Sequence, residues 1–436
     1  MPKLIIPNIR EIYKSPDHKY TQEEAISRQF YSLRFLWLLD PHDIMLLSEA
    51  PDEAFLSYLC NIKQISRNTL TIIPWEDTLD ASFADALANP VLIEKLRAII
   101  SAPSQWSIQT CYLNQAVINL ADNLNISIRL SLRQIALNDD IRKMNSKVYF
   151  RYLASECNIP IPNGLICHSQ FDLQYAIHTL ITQTGQVIIK QEYNSGSRGN
   201  IGITINPNCH FVGITKKLTV TNHSLEAITK QVWGEYIDNI NKCLIVEIYH
   251  PNTGTFTAML QIQPLGQDPL LLNYSEIRMA MSWYGIQIPA NRLSQQNAEK
   301  LINDSFKFAS MLQQTGYEGY LCCDVIRTLD NQILFTEINV RPGAETNAHA
   351  LATHLFGEKH YEKATILTNN KLKVTSFQQA YRILAAHKLL LTAQNKFGVV
   401  LLTLDERYSK QVEYFFVAPT LVEAKKMEIK LTQLLS

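Results

Sequence analysis

The first 163 residues of this chain contain no glycine, and all of its 15 glycines except Gly357 and Gly398 lie between Gly164 and Gly343. Glycine is the residue that lets a backbone turn tightly or approach a phosphate closely. No Gly-x-Gly-x-x-Gly dinucleotide fingerprint can therefore stand in the first third. A loop that needs glycine sits in the middle. Forty basic side chains balance 40 acidic ones, and 46% of residues are hydrophobic. That combination excludes a disordered chain, and the lack of a basic excess argues against a nucleic-acid partner. A length of 436 residues suits about three domains or one large composite enzyme.

The eight cysteines are scattered, with no Cys-x-x-Cys pair and no zinc-like spacing, so they read as buried small hydrophobes in a reducing compartment. The N-terminus has too short an apolar run for a signal peptide, and no stretch has the length of a membrane span. The expectation is a cytoplasmic protein with neither a membrane nor a nucleic-acid partner.

Alternating short strands and helices open the chain. Asp43 to Leu47 and Thr69 to Pro74 read as strands, Asp52 to Tyr58 as a helix, and Phe83 to Ile100 as one helix with its apolar residues at three-to-four spacing. This predicts an α/β layer with a parallel sheet over residues 1–138. A helix over Asp139 to Asn158 ends at Ile159-Pro160-Ile161-Pro162, because proline cannot continue it. Strands then dominate residues 139–372: Gln186 to Lys190, Ile201 to Ile205, Cys243 to Tyr249, Thr255 to Gln263, Leu321 to Arg327 and Gln332 to Asn339. A helix, two strands and a helix follow in residues 373–436, where Phe397 to Leu404 reads as a strand buried on both faces.

Four features with chemical content lie in order across the middle. An apolar strand ends in Lys190. At once follows Asn194-Ser195-Gly196-Ser197-Arg198-Gly199-Asn200-Ile201-Gly202, a loop that is either a hairpin turn or a cover whose backbone N–H groups wrap an anion. The strand Leu244 to Tyr249 is apolar except for Glu247. Last, Asp324 sits thirteen residues before Glu337, and a hairpin would set the two carboxylates side by side. Glu337, Asn339 and Arg341 alternate with Ile338 and Val340, so they share a face. Two carboxylates and an amide suit a hard divalent metal such as Mg²⁺. A salt-bridge cluster is the alternative, but two buried carboxylates without a metal repel.

This order resembles that of the ATP-grasp ligases over Asp139 to Thr368. The resemblance implies an α/β (α+β overall) fold: a pre-ATP-grasp domain, a core of two α+β subdomains sandwiching ATP with its lid at about 180–250, and a small C-terminal unit. It implies that Lys147 and Lys190 contact the nucleotide, that Ser195, Gly196, Ser197, Arg198 and Gly199 close over its phosphates, and that Glu247, Ile248 and Tyr249 hold adenine. Asp324, Glu337 and Asn339 match the ligands of two Mg²⁺ ions, for which Mn²⁺ could substitute. Arg341 matches an arginine at the transferring phosphoryl group, and Lys190 acts beside it. The flank Asp40 to Leu47 with Ala54 to Leu59 is similar to the pre-ATP-grasp domain of the pheganomycin-type peptide ligases.

Two positions depart from relatives. No acid follows the hinge in Pro251 to Thr257, which leaves ribose to Thr255 or a distant group, and Cys322 stands where D-alanine-type ligases carry an arginine. The implied activity joins a small-molecule carboxylate to an amino acid or peptide amine through an acyl phosphate, with Arg278 on the substrate carboxylate. A homodimer fits such a ligase. The rival expectations are a catalytically degenerate nucleotide-binding scaffold, a carboxylate–thiol ligase and a protein-tagging ligase.

Overall fold

The computed structural model describes every residue except 10, 15–17, 76–81, 221–223, 281–282, 393–394, 407–409 and 436. Three sheets organise these residues. The first contains β1 (Lys3–Ile6), β2 (Ile44–Leu47), β3 (Thr71–Pro74) and β4 (Ser107–Thr110), in the order β3-β2-β1-β4. All its pairs are parallel. Both faces are covered, as such sheets require. Leu4, Ile6, Ile44 and Leu46 bury against Phe83, Leu92, Leu96 and Val117, while Ile5, Met45 and Leu47 turn to the opposite core.

Two expected helices are divided. Residues 83–100 form Phe83–Leu87 and Pro90–Ile99, since proline is tolerated only in a first turn and Asn89 caps it by accepting from the Val91 N–H at 2.9 Å. Residues 139–158 form Asp140–Met144 and Lys147–Glu156, where the Ser146 hydroxyl accepts from the amides of Val148 and Tyr149. That cap places Lys147 at the first position of its helix.

The second sheet holds β5 (Gly164–Cys167), β6 (Gln186–Gln191), β7 (Asn200–Thr204), β8 (Lys216–Thr219) and β9 (Leu244–Ile248), in the order β5-β9-β6-β7-β8. The third is an antiparallel sheet of eight strands. It contains β10 (Asn252–Ile262), β11 (Leu270–Met279), β12 (Trp283–Ile288), β13 (Gly319–Thr328), β14 (Ile333–Asn339), β15 (Thr365–Asn369), β16 (Gly398–Leu404) and β17 (Val412–Ala418). Their order is β14-β13-β10-β11-β12-β15-β17-β16.

The C-terminal strands thus continue the large sheet across the polar stretch Asn369 to Thr375, through pairing of β15 with β17. Val400, Leu402 and Phe416 share one core with Leu36, Trp37 and Phe55 of the N-terminal region. Trp37 Nε1 donates to the Leu402 carbonyl at 2.7 Å, and the Leu401 amide donates to the Tyr58 hydroxyl at 3.1 Å. Among the described residues, no helix is long and apolar enough to cross a membrane.

Candidate active site

A cleft of about 550 Å³ lies between the second and third sheets. One end of it starts at the β6–β7 hairpin, where Lys190 pairs with Asn200 across the ladder. The glycine-rich segment is therefore a hairpin loop that also lines the cleft. Gly196 and Ser197 take positive φ of 62° and 66°. A Cβ on Gly199 would stand 2.4 Å from the Gln191 side-chain oxygen and 2.8 Å from the Asn194 amide nitrogen, so a larger residue there would displace both side chains. Those two side chains bond each other at 2.6 Å and brace the loop base.

Lys190 and Glu247 come from adjacent strands, β6 and β9, and their charged atoms meet at 2.7 Å. Arg151 reaches the other oxygen of Glu247 at 2.9 Å. Glu247 is 2% exposed, so it needs these partners. Ile248 and Tyr249 line the cleft as expected, but their amides already donate to Asn163 at 2.9 Å and Gln186 at 3.2 Å. His250 and Thr255 line the cleft beside them, and burial lowers the His250 pKa.

On the opposite wall, the register sets Asp324 directly across from Glu337, with a bulge just after Asp324. Asn339 Nδ2 donates to Asp324 Oδ2 at 3.2 Å. Arg341 Nη2 donates to Asn339 Oδ1 and to the Tyr13 hydroxyl, both at 2.7 Å. Lys147 Nζ stands 3.0 Å from Glu337 Oε2 and donates to the Asn194 carbonyl at 3.2 Å, which ties the hairpin loop to the carboxylate strand. Burial pushes the Asp324 pKa well above the ordinary carboxylate range, helped by Glu337 and Glu345 facing it. Burial acts the same way on Glu337, but Lys147, Lys190 and Arg341 outweigh it and hold Glu337 low. A divalent cation would relieve the Asp324–Glu337 repulsion, and the oxygen donors suit a hard ion. Among the described residues no three His, Cys, Asp or Glu side chains gather as a closed metal centre. Oxygen donors from outside the protein would have to complete the coordination.

Every expected nucleotide and metal residue lines this one cleft, as does Arg341. Arg278 does not, which corrects the expectation of a substrate contact there. Its Nη1 and Nη2 bind both carboxylate oxygens of Glu428, at 2.9 and 2.7 Å, and Nη1 also donates to the Thr368 carbonyl. His349 Nδ1 meets His360 Nε2 at 2.9 Å, outside the cleft lining.

Several lining residues escaped the sequence reading, among them Tyr13, Tyr31, Arg34, Trp283 and Glu345. Arg34 had a signal: it is the one charge in the apolar run Leu33 to Leu39, and a buried charge needs a partner. Glu345 had none, because it follows a Pro-Gly turn that no periodicity can trace.

Residues 32–126 match the model of the Pre ATP-grasp domain. No curated protein matches the sequence. Among solved structures, biotin carboxylase from Campylobacter jejuni in its beta-gamma-ATP complex aligns over 98% of this chain and 90% of its own, at 14% identity and a TM-score of 0.61. An ADP complex of N5-carboxyaminoimidazole ribonucleotide synthetase aligns over 99% and 96%, at 12% identity and a TM-score of 0.56. The N5-carboxyaminoimidazole synthase of Aspergillus clavatus, bound to ADP and 5-aminoimidazole ribonucleotide, aligns over 100% and 98%, also at 12% and 0.56.

Proposed function

We propose, from the ATP-grasp fold that this chain carries behind a pre-ATP-grasp domain, that it is an ATP- and Mg²⁺-dependent ligase joining a carboxylate to an amine. One observation carries the reading. Two lysines, a glycine-braced hairpin loop and an Asp–Glu–Asn set from five separate chain segments converge on one cleft.

In this reading Lys147, Lys190 and the amides of Gly196, Ser197 and Gly199 bind the ATP phosphates, since the Ser195 and Arg198 amides already donate to the Asn194 side chain and the Ser195 carbonyl. A purine at the other end meets the side chains of Ile248, Tyr249 and His250, since two hinge amides are already bonded. Asp324, Glu337 and Asn339 would hold Mg²⁺, which when bound neutralises charge developing on the phosphoryl oxygens. A carboxylate oxygen of the donor attacks the γ-phosphorus, the bond to the β-phosphate oxygen breaks, and ADP leaves an acyl phosphate. Arg341, fixed by Tyr13 and Asn339, orients that phosphoryl group. The amine nitrogen then attacks the acyl carbon, expels phosphate and releases one proton. The hairpin loop keeps water from the intermediate. The Pre ATP-grasp match at 32–126 covers the flank on which the likeness to pheganomycin-type peptide ligases rests.

ADP release from Mg-ATP, measured with amino acids and the small-molecule acid fraction of a cell extract, tests this. Mass spectrometry of the products names both partners by added mass. The wild-type protein should release ADP, and Glu337→Gln should lower the rate at least about a hundredfold, the scale of one misplaced phosphoryl-stabilising group. Tight ATP binding without ADP release under any of these conditions would make the chain a nucleotide-binding scaffold instead.

A further inference from the structure

The strand that carries Glu337 and Asn339, β14, stands at the edge of the eight-stranded sheet. On its inner side β13 pairs with it, setting Asp324 opposite Glu337 and Cys322 opposite Asn339. An edge strand leaves its outer amides and carbonyls to water or to some other partner. Two groups take that place here. The Phe335 amide donates to the Pro160 carbonyl at 2.9 Å. Further along, the side-chain amide of Asn145 meets both backbone polar groups of Val340. Its Oδ1 accepts from the Val340 amide at 3.0 Å, and its Nδ2 donates to the Val340 carbonyl at 3.3 Å. The same Nδ2 donates to the Ile141 carbonyl at 2.8 Å. Asn145 is 8% exposed and does not line the cleft.

A carboxamide offers a donor and an acceptor, as a peptide unit does, so Asn145 stands in for a neighbouring strand over one residue. Glu337 and Asn339 lie between the two anchors, and Val340 lies between Asn339 and Arg341. A backbone shift at Val340 would therefore move an expected metal ligand and Arg341 together. The two residues after Asn145 grip the other wall of the cleft. Ser146 Oγ donates to Glu192 Oε1 at 2.5 Å, and the Lys147 amide donates to the Glu192 carbonyl at 3.2 Å. Glu192 directly follows β6, at the base of the hairpin loop. Lys147 Nζ stands 3.0 Å from Glu337 Oε2. One turn of three residues thus holds the carboxylate strand by its backbone and the loop by its base.

We infer that Asn145 is a positioning residue for the metal site: through Val340 it fixes the backbone that aims Glu337 and Asn339, without itself lining the cleft. The inference rests on the ligase reading above and on its assignment of Mg²⁺ to Asp324, Glu337 and Asn339. Groups that orient metal ligands without touching the ion contribute about ten- to a hundredfold to metal affinity. Asn145 has the chemistry for that task, since a carboxylate in its place would offer the Val340 carbonyl no donor and an apolar side chain would offer neither group.

The test is calorimetric titration of the full chain with ADP across a series of Mg²⁺ concentrations. It reads two quantities, the ADP affinity at saturating Mg²⁺ and the Mg²⁺ concentration at which the metal's effect is half complete. Asn145→Ala should raise that midpoint about tenfold or more, while the affinity at saturating Mg²⁺ returns close to the wild-type value. A merely structural loss would lower the saturating affinity instead. Asn297→Ala is the control for general loosening. Asn297 is buried, and its Nδ2 donates to the Asn331 carbonyl at 3.2 Å, in the turn at the far end of the same β13–β14 hairpin. It should keep the wild-type midpoint. Should Asn145→Ala not fold, Asn145→Asp keeps the volume and the acceptor for the Val340 amide but loses the donor to its carbonyl, and it should raise the midpoint likewise. A folded Asn145 variant with the wild-type midpoint would overturn the inference, as would an equal rise in Asn297→Ala. Wild-type ADP binding that ignores Mg²⁺ would remove the metal assignment and this inference with it; no ADP binding at any Mg²⁺ concentration would remove the ligase reading itself.

Discussion

At the scale of single residues, the cleft is built from charges that already have partners. Glu247 is held by two cations, Lys190 at 2.7 Å and Arg151 at 2.9 Å. Removing one should therefore separate binding from stability. Lys190→Met should weaken ATP binding about ten- to a hundredfold by calorimetric titration, the loss of one charged phosphate contact, with a melting temperature near that of the wild type. Lys190→Met combined with Arg151→Met leaves a buried carboxylate unpaired and should cost about 3–5 kcal/mol; equal stability of the single and double variants would refute this account. The residues of this cleft were legible where chemistry follows strand alternation, as with Glu337, Asn339 and Arg341. Arg278 was misread because its partner, Glu428, lies on the C-terminal helix, 150 residues away in sequence. No local pattern encodes such a pairing.

At the scale of elements, the strands with strong apolar character were legible within a few residues, including β6, β9, β13 and β14. The helix over 83–100 failed at Pro90, where a good N-cap and a proline make a new start cheaper than a kinked continuation. β11 and β12 were not legible, since polar residues such as Asn273, Ser275, Glu276 and Gln287 interrupt their apolar runs although they are buried. Their pairing nevertheless carries the sheet toward its C-terminal strands. The β12–β15 junction depends on Gly285, where an added Cβ would lie 1.9 Å from the Thr368 carbonyl oxygen. That obstacle is backbone and cannot rotate aside. Gly285→Ala should cost about 1–3 kcal/mol, at the scale of an overpacked core, read as a lower denaturation midpoint. An unchanged midpoint would mean that the junction is looser than its geometry.

At the scale of the whole molecule, the sequence marks three regions but hides how they are fused. The N-terminal sheet and the C-terminal strands share a core, and the Arg34–Glu413 pair and the Trp37–Leu402 bond cross between them. A chain ending at residue 372 would expose Trp37, Phe55, Leu36 and their neighbours, each worth about 1.5–3 kcal/mol when buried. It should be insoluble or molten by near-ultraviolet dichroism, while the full chain unfolds in one transition; a soluble, ATP-binding truncation would refute the shared core. The lysine–carboxylate contacts that line the cleft have a further consequence. With Lys147 on Glu337 and Lys190 on Glu247, the resting protein carries its own counterions. A stray divalent cation from the surrounding solution meets ammonium groups on those carboxylates, and only a metal arriving with phosphates can give the lysines new partners. Manganese added alone should leave its paramagnetic resonance signal near that of the free ion, and the signal should fall once ADP is supplied. If the cleft binds nucleotide as proposed, these salt bridges should make metal enter with the phosphates and not before them.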